Sequence, residues 1–489
     1  MTLRVRPLRL PLPAHVALPA AAVLALLAQA FFGHPPTDPA SAGEVAASLV
    51  EPSTSVLLAA RVVEGLLTAL MPLAIVFGAI LLFKTLDASG AMRTLTATLE
   101  RSAPDPVIRV VLIAWAFSYL VEGLSGFGTP AALAAPILVA LGLPPVRAAS
   151  ACLVMNTVPV VFGAVGMPVW FGLGETDLDE QSLVGIGVAA ATFQAAAAPV
   201  IVALALRALF PWADLKRRAL PIAFILVATL VPSAIAARFS TEFPSIIGGL
   251  TGLAAAFALG RTTRSRTEAT PTEHNDRPSP PDRPELSLWR AAFPLAATVL
   301  LLAVTRLEPI GVKPLLNAVE PAITLELPTV GTLSVSAALV TRVDAILGTP
   351  ISWSMPVLYV PFVIPFVVVS VVSVPLLGMR LGAAAGVWSR TASSLAKPAI
   401  ALAGALVFVK LMMHGQDASP VITLGETLAA AVAAVHAELW LAAAPLLGAL
   451  GSFFSGSATV SNLTFAPVQT EIAARLGLDP TRVLALQAV

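Results

Sequence analysis

Apolar runs of about 20 residues, the length a bilayer's hydrocarbon core demands of a helix, recur from one end of the chain to the other. They lie at 14–32, 56–83, 107–121, 183–209, 219–236, 244–260, 352–377 and 395–413. The pattern predicts an all-α polytopic membrane protein of about 12 transmembrane helices. One interval is different. The segment RTTRSRTEATPTEHNDRPSPPDRPEL (261–286) is polar, rich in proline and without periodicity, which reads as a flexible cytoplasmic linker. It separates a first membrane half (1–260) from a second (288–489), with 261–287 between them.

Composition strengthens that reading and narrows the chemistry. The chain is 57% hydrophobic and 12% charged, against roughly 25% charged residues in a soluble domain. A net charge of +1 gives no electrostatic footprint for nucleic acid. The single Cys152 lies in an apolar stretch, so there is no disulfide framework, and the five histidines are scattered without metal-ligand spacing. No P-loop is present to drive transport with ATP. No nucleophile–base pair or intramembrane ligand set suggests an enzyme. The expected partners are the lipid bilayer and a small molecule, with no cofactor.

Charge also orients the first half. Loops rich in Arg and Lys (1–9, 84–109, 207–218, 261–290) alternate with acid-rich loops (33–55, 172–182), which places the N-terminus in the cytoplasm. Arg4, Arg6 and Arg9 precede an apolar run ending in Ala28-Gln29-Ala30, an arrangement that imitates a signal peptide. The run is long for that role, so it is read as a retained first span. Parity then requires a crossing at 107–124, a return through 125–145 and a further crossing at 146–171. The second half is harder to orient, because Arg306, Lys313, Arg342, Arg475 and Arg482 do not alternate cleanly with acidic loops.

The most informative segment is VEGLSGFGTP (121–130). A helix in lipid cannot carry a glutamate, several glycines and a proline in close succession unless the backbone they free lines a cavity. Glu122, Ser125, Gly126, Gly128 and Thr129 therefore form a polar tip where a small ion or substrate meets unwound backbone. The second half repeats the feature: SGFGTP (125–130), AP (135–136) and LGLPPVR (141–147) return as SGSATV (455–460), AP (466–467) and LGLDPTR (476–482). Interrupted hydrophobic segments at matching places in two halves point to a transporter's binding site. Val489 corresponds to Val154 in this alignment, so the second copy reads as unfinished, short of a partner for Asn156, and the chain as it stands is expected not to transport unaided.

The segment EGLSGFGTPAALAAPILVALGLPPVRAASACLVMNTVPVVFGAVGMPV (122–169) resembles the signature of bacterial L-lactate permeases. GSFFSGSATVSNLTFAPVQTEIAARLGLDPTRVLALQAV (451–489) is similar to their second signature, and fainter resemblance runs through 56–90 and TRVDAILGT (341–349). The resemblance implies uptake of lactate, glycolate and other 2-hydroxy monocarboxylates with protons across the cytoplasmic membrane. Two departures stand out: Ala458 holds a position where the family often has Asp, and family members continue past residue 489.

A 2-hydroxy acid needs backbone amides or a cation for its carboxylate and a hydroxyl or amide side chain for its hydroxyl. Amides after Gly128 and Thr129 supply the first need at one tip, and Ser457, Thr459, Ser461 and Asn462 offer the same chemistry at the other. Small residues at both tips also suit close helix packing alone. Asn156 and Thr157, followed by Pro159, Gly163, Gly166 and Pro168, form a further interrupted span, either lining the cavity or kinking a helix whose Asn bonds a neighbour. Glu122 is the natural proton carrier, or else a structural acceptor for the amides of the turn. Arg342 pairs either with a substrate carboxylate or with Asp344, or extends to the membrane interface. Lys410, His436 and Glu438 lie near expected helix ends, where solvation accounts for them.

Overall fold

The computed structural model describes residues 13–32, 53–176, 178–267, 286–412 and 437–489. The chain is mostly helical. Its first half contains α1 (Ala14–Phe32), α2 (Thr54–Thr68), α3 (Leu70–Ser89), α4 (Ala91–Ser102), α5 (Pro106–Val110), α6 (Ser118–Ser125), α7 (Thr129–Ala140), α8 (Pro145–Asn156), α9 (Gly163–Trp170), α10 (Glu180–Arg207), α11 (Trp212–Arg217), α12 (Ala219–Ala236) and α13 (Pro244–Thr267). The second contains α14 (Leu288–Arg306), α15 (Val312–Leu316), α16 (Val369–Leu376), α17 (Leu381–Ser394), α18 (Ala396–Met412), α19 (Leu439–Ser455), α20 (Ala458–Leu476) and α21 (Pro480–Ala488). Among the described residues, 6 helices are long and apolar enough to cross a membrane, or 7 if the pair Pro145–Asn156 and Pro159–Trp170, bent by 63°, counts as one.

The rod from Pro106 to Ser125 is the centre of the first half, since 94% of its apolar window is buried. Asp105 starts it by accepting from the amides of Val107 and Ile108. Its middle, Val111–Phe117, is a π-helix, and Ser118 Oγ donates to the carbonyl of Ile113 within it. Trp115 Nε1 donates to Thr229 Oγ1 of α12 at 3.1 Å. Against α13 the approach is closer still. A Cβ on Gly123 would lie 2.7 Å from the amide nitrogen of Ile246, and one on Gly249 would overlap the backbone of Leu120. Glycine at such crossings lets two backbones touch, and in lipid that contact replaces the missing hydrophobic drive.

The two halves interlock. Ala466, Leu484, Ala485 and Ala488 from the C-terminal helices share one buried cluster with Val161, Phe162, Ile186 and Ala190. A Cβ on Gly78 of α3 would sit 2.9 Å from that of Phe366, and Gly404 of α18 lies flush against Pro19 of α1. Polar links join the halves as well: Arg306 at the end of α14 lies 3.0 Å from Glu242 just before α13, and Lys313 lies 3.1 Å from Glu180.

Two expectations need correction. An all-α chain is not what forms, because Ala322–Leu327, Gly331–Ser336, Val340–Asp344 and Trp353–Pro356 make a four-stranded antiparallel sheet in the order β1-β2-β3-β4. Ile323 faces Val335, Leu333 faces Val343 and Val343 faces Trp353 across it. Its cause is visible in ITLEL and TLSVS, where apolar residues alternate with polar ones at the period of a strand, and in the β-branched Val340, Thr341 and Val343 of VTRVD. The run 352–377 is consequently not one span: it begins in β4 and continues as a π-helix (Val363–Val368) and α16. α13 continues to Thr267, into the start of the polar interval. Residues 268–285 lie outside the described residues.

Gly249→Leu is expected to destabilise the protein by about 1–3 kcal/mol, the usual cost of overpacking. The drop in melting temperature of the purified protein measures it, and an unchanged value would show that α6 and α13 separate without loss.

Candidate functional site

Each predicted tip is a helix interrupted and restarted. In the first, α6 ends at Ser125, whose Oγ donates back to the carbonyl of Val121 at 2.9 Å. Gly126, Phe127 and Gly128 then take φ values of 59°, 52° and 74°, a left-handed run open to glycine and strained for phenylalanine, and α7 begins at Thr129. In the second, α19 ends at Ser455, Gly456 has φ 73°, and Ser457 caps α20 by accepting from the amide of Val460. Both hairpins turn again at a glycine, Gly142 (φ 91°) and Gly477 (φ 64°), with proline at the start of the next helix, Pro145 and Pro480. The repeated sequence thus becomes a repeated helix–break–helix–turn–helix unit.

The expected broken span follows the first hairpin. After Asn156 the chain makes a 3₁₀ turn at Pro159–Phe162, and Ala164, Val165 and Gly166 all sit in left-handed conformations (φ 46°, 59° and 73°). Carbonyls freed by this break are collected by side chains from elsewhere. Gln194 of α10 donates to Val158 O, Ser245 of α13 to Pro159 O at 3.0 Å, Trp170 to Val165 O at 2.9 Å, and Asn462 of α20 to Pro168 O at 2.9 Å.

The three breaks converge on one cavity of ≈ 90 Å³. Glu122, Gly126, Gly128 and Asn156 line it from the first half, and Gly456, Ser457 and Thr459 from the second. Glu122 is 1% exposed and accepts from Asn156 Nδ2 at 3.0 Å through Oε2. Its other oxygen lies where a Cβ on Gly163 would be, so the carboxylate fits only because residue 163 has no side chain. Asn156 Oδ1 and Asn462 Oδ1 are buried and receive no hydrogen bond. The site thus offers a lone carboxylate, an amide oxygen awaiting a donor, and the hydroxyls and amides of two helix starts.

Other predicted residues stand around this centre. Ser125 and Ser461 tie down their own hairpins, the latter by donating to Gly448 O at 2.8 Å, and Asn462 joins the second hairpin to the broken span. Thr129 lines an adjoining cavity instead. Thr157 is not brought in, because it is exposed and its hydroxyl returns to the carbonyl of Val154 at 2.8 Å. Arg342 is not brought in either: it lies on β3, where its guanidinium meets Asp344 at 3.1 Å and both side chains are partly exposed.

Gln194 was not singled out in the sequence. It is 2% exposed and is the one amide side chain in the apolar run 183–209, and that isolation was its signal. Lys410 is not solvated at a helix end: it lies 2.8 Å from Glu64, which also holds Arg61 at 2.8 Å, inside the contact of α2 with α18. His436 falls outside the described residues, and Glu438 stands at the N-cap of α19.

Discontinuous hairpins and a broken span around a polar cavity, within a bundle of apolar helices, define a multi-pass membrane permease. The chain belongs to the L-lactate permease family, whose description it matches over residues 48–489. It is 37% identical over 434 residues to a protein of Haemophilus influenzae provisionally named an L-lactate permease, covering 89% of this chain and 80% of that one. It is 25% identical over 453 residues to the glycolate permease GlcA of Escherichia coli, covering 86% and 76% respectively. Among solved structures, the YdaH transporter of Alcanivorax borkumensis aligns over 97% of this chain and 86% of its own, with 17% identity and a TM-score of 0.47.

Gly163→Ala should displace the Glu122 carboxylate from Asn156 and abolish most transport while membrane abundance is retained. Uptake normalised to abundance tests this, and wild-type uptake would mean that the carboxylate position is not critical.

Proposed function

We propose that the protein imports L-lactate and related 2-hydroxy monocarboxylates, glycolate and D-lactate among them, by proton symport across the bacterial inner membrane. The observation that carries this reading is the shared cavity, in which both tips and the Glu122–Asn156 pair meet. Its donors suit a carboxylate, and Asn156 Oδ1 suits the 2-hydroxyl proton. Membership of the family and a relative named as a glycolate permease support the substrate class.

Coupling follows from electrostatics. A substrate carboxylate placed beside an ionised Glu122 would set two negative charges together in a medium of low dielectric, a repulsion of several kcal/mol at an effective dielectric near 20. Anion and proton therefore enter together, with Glu122 holding the proton, and they leave together. Gly126, Gly128, Gly456, Ser457 and Thr459 present the amides and hydroxyls, while Ser125, Ser461 and Asn462 keep the hairpins in shape.

The halves are read as inverted repeats with about 12 membrane passages in all. One charge position and one contact support opposite entry of the hairpins. The bend of the first precedes Arg147 on the face rich in Arg and Lys, whereas Thr481, just past the bend of the second, sits against Gly185 near the acidic loop at the start of α10. With the N-terminus in the cytoplasm, the first hairpin enters from inside and the second from outside. Alternating access then moves one half against the other around a fixed site.

A second reading has its own support: the unpaired oxygens of Asn156 and Asn462 suit a sodium ion as well as a hydroxyl donor. Glu122→Gln separates the two. Under proton symport the variant should lose accumulation of labelled lactate against a gradient yet retain exchange of internal for external lactate, and uncoupler should abolish accumulation in the parent. Accumulation that survives the uncoupler and follows an imposed sodium gradient would overturn the proton assignment.

A further inference from the structure

The central cavity has a neighbour. A larger space of ≈ 280 Å³ lies against it, lined by Phe83, Lys84 and Asp87 of α3 and by Phe127, Gly128 and Thr129 of the first tip. Phe127 and Gly128 belong to both linings, so the first tip is the partition between the two spaces. Phe127 is 43% exposed although its neighbours in the tip are mostly small and polar.

Lys84 is the cation of this vestibule, and it is held in place. Its Nζ donates to the carbonyl of Arg390 at 2.8 Å and to Ser394 Oγ at 3.0 Å, both in the last turn of α17. An ammonium has three donors, and these contacts engage two of them. The helix end contributes a negative field that keeps the cation there. Asp87 follows at i+3 on α3, so that both charges face the same space.

We propose that Lys84 is a second carboxylate subsite, on the path between the central cavity and the face of the membrane that carries Arg93, Arg101 and Arg147. The inference rests on the transport reading above and extends it to the route. A monocarboxylate leaving the tip passes Gly128 and Thr129 and meets the remaining donor of Lys84. Asp87 sets the charge balance of the space: Lys84 and the nearby guanidinium of Arg390 stand against one carboxylate, so a single incoming negative charge is accommodated and a second is repelled. The vestibule therefore favours monocarboxylates over dicarboxylates of similar size.

The test uses the full chain in right-side-out and inverted membrane vesicles, with labelled L-lactate as the probe. Lys84→Gln retains an amide donor for Arg390 O and Ser394 Oγ, so the contact of α3 with α17 survives while the charge is lost. It should raise the half-saturation concentration about tenfold on the Lys84 face and by less than about twofold on the other, the scale of one charge-assisted hydrogen bond. Lys84→Arg at equal membrane abundance should restore the wild-type value. Asp87→Asn should allow malate, a 2-hydroxy dicarboxylate, to compete with lactate from the Lys84 face. An unchanged half-saturation on that face, an equal rise on both faces, or malate that competes no better with Asp87→Asn than with the parent would overturn the subsite. Absence of lactate transport by the parent chain in both kinds of vesicle would instead overturn the reading of this chain as a carrier that works unaided.

Discussion

A helix broken inside a bilayer leaves backbone carbonyls and amides without water, at a cost of several kcal/mol for each one unsatisfied. This constraint organises the protein. The chain breaks three times near its centre, at 126–128, 157–166 and 456–457; the two tips are tied by serines of their own hairpins, and at the broken span side chains from other elements supply the missing bonds. Gln194, Ser245 and Asn462 reach the carbonyls of the broken span from α10, α13 and α20. Gln194 is the one buried polar side chain among the buried residues of α10, and its bond goes to the backbone of the site.

The same economy explains the charge distribution. Ionisable groups inside the bundle are few, and the described ones other than Glu122 stand mainly in pairs or at ends: Glu64 between Arg61 and Lys410, and Glu242 against Arg306. Glu122 differs, because the partner it has is a neutral amide. A buried carboxylate satisfied by an amide rather than by a cation is sensitive to any further charge placed beside it. That sensitivity is what a carrier needs if binding of an anion is to depend on binding of a proton.

Much of this site was legible in the sequence, because membrane helices tolerate glycine–proline clusters and carboxylates in so few circumstances. The tips, their repetition and the break after Asn156 all followed from that intolerance. The sheet at 322–356 was less legible, since one strongly apolar environment hides strands among spans, and alternation over five or six residues is a weak signal beside runs of twenty. Of the alternatives that the sequence left open, Thr157 and Arg342 take the local one. A polar side chain near a break can turn to its own helix, as Thr157 does, and a cation near an apolar run can belong to a strand, as Arg342 does. Distance along the chain does not distinguish these cases from a cavity lining.

The strain at Ala164–Gly166 connects the site to the rest of the protein. A β-branched residue such as Val165 rarely adopts the left-handed region, and each such residue costs on the order of 1–3 kcal/mol, so the conformation persists only while its surroundings impose it. Trp170 holds the carbonyl of Val165, and Gly166 presses against the backbone of Thr241 and Glu242, where any Cβ would collide. Glu242 is in turn fixed by Arg306 from the second half. The wall of the cavity therefore keeps its shape through an ion pair between the halves. If the halves move apart, the pair separates, the restraint on Val165 is released, and the segment beside Glu122 is free to relax. The Arg306–Glu242 ion pair and the backbone beside the central carboxylate are in this way joined by one run of contacts.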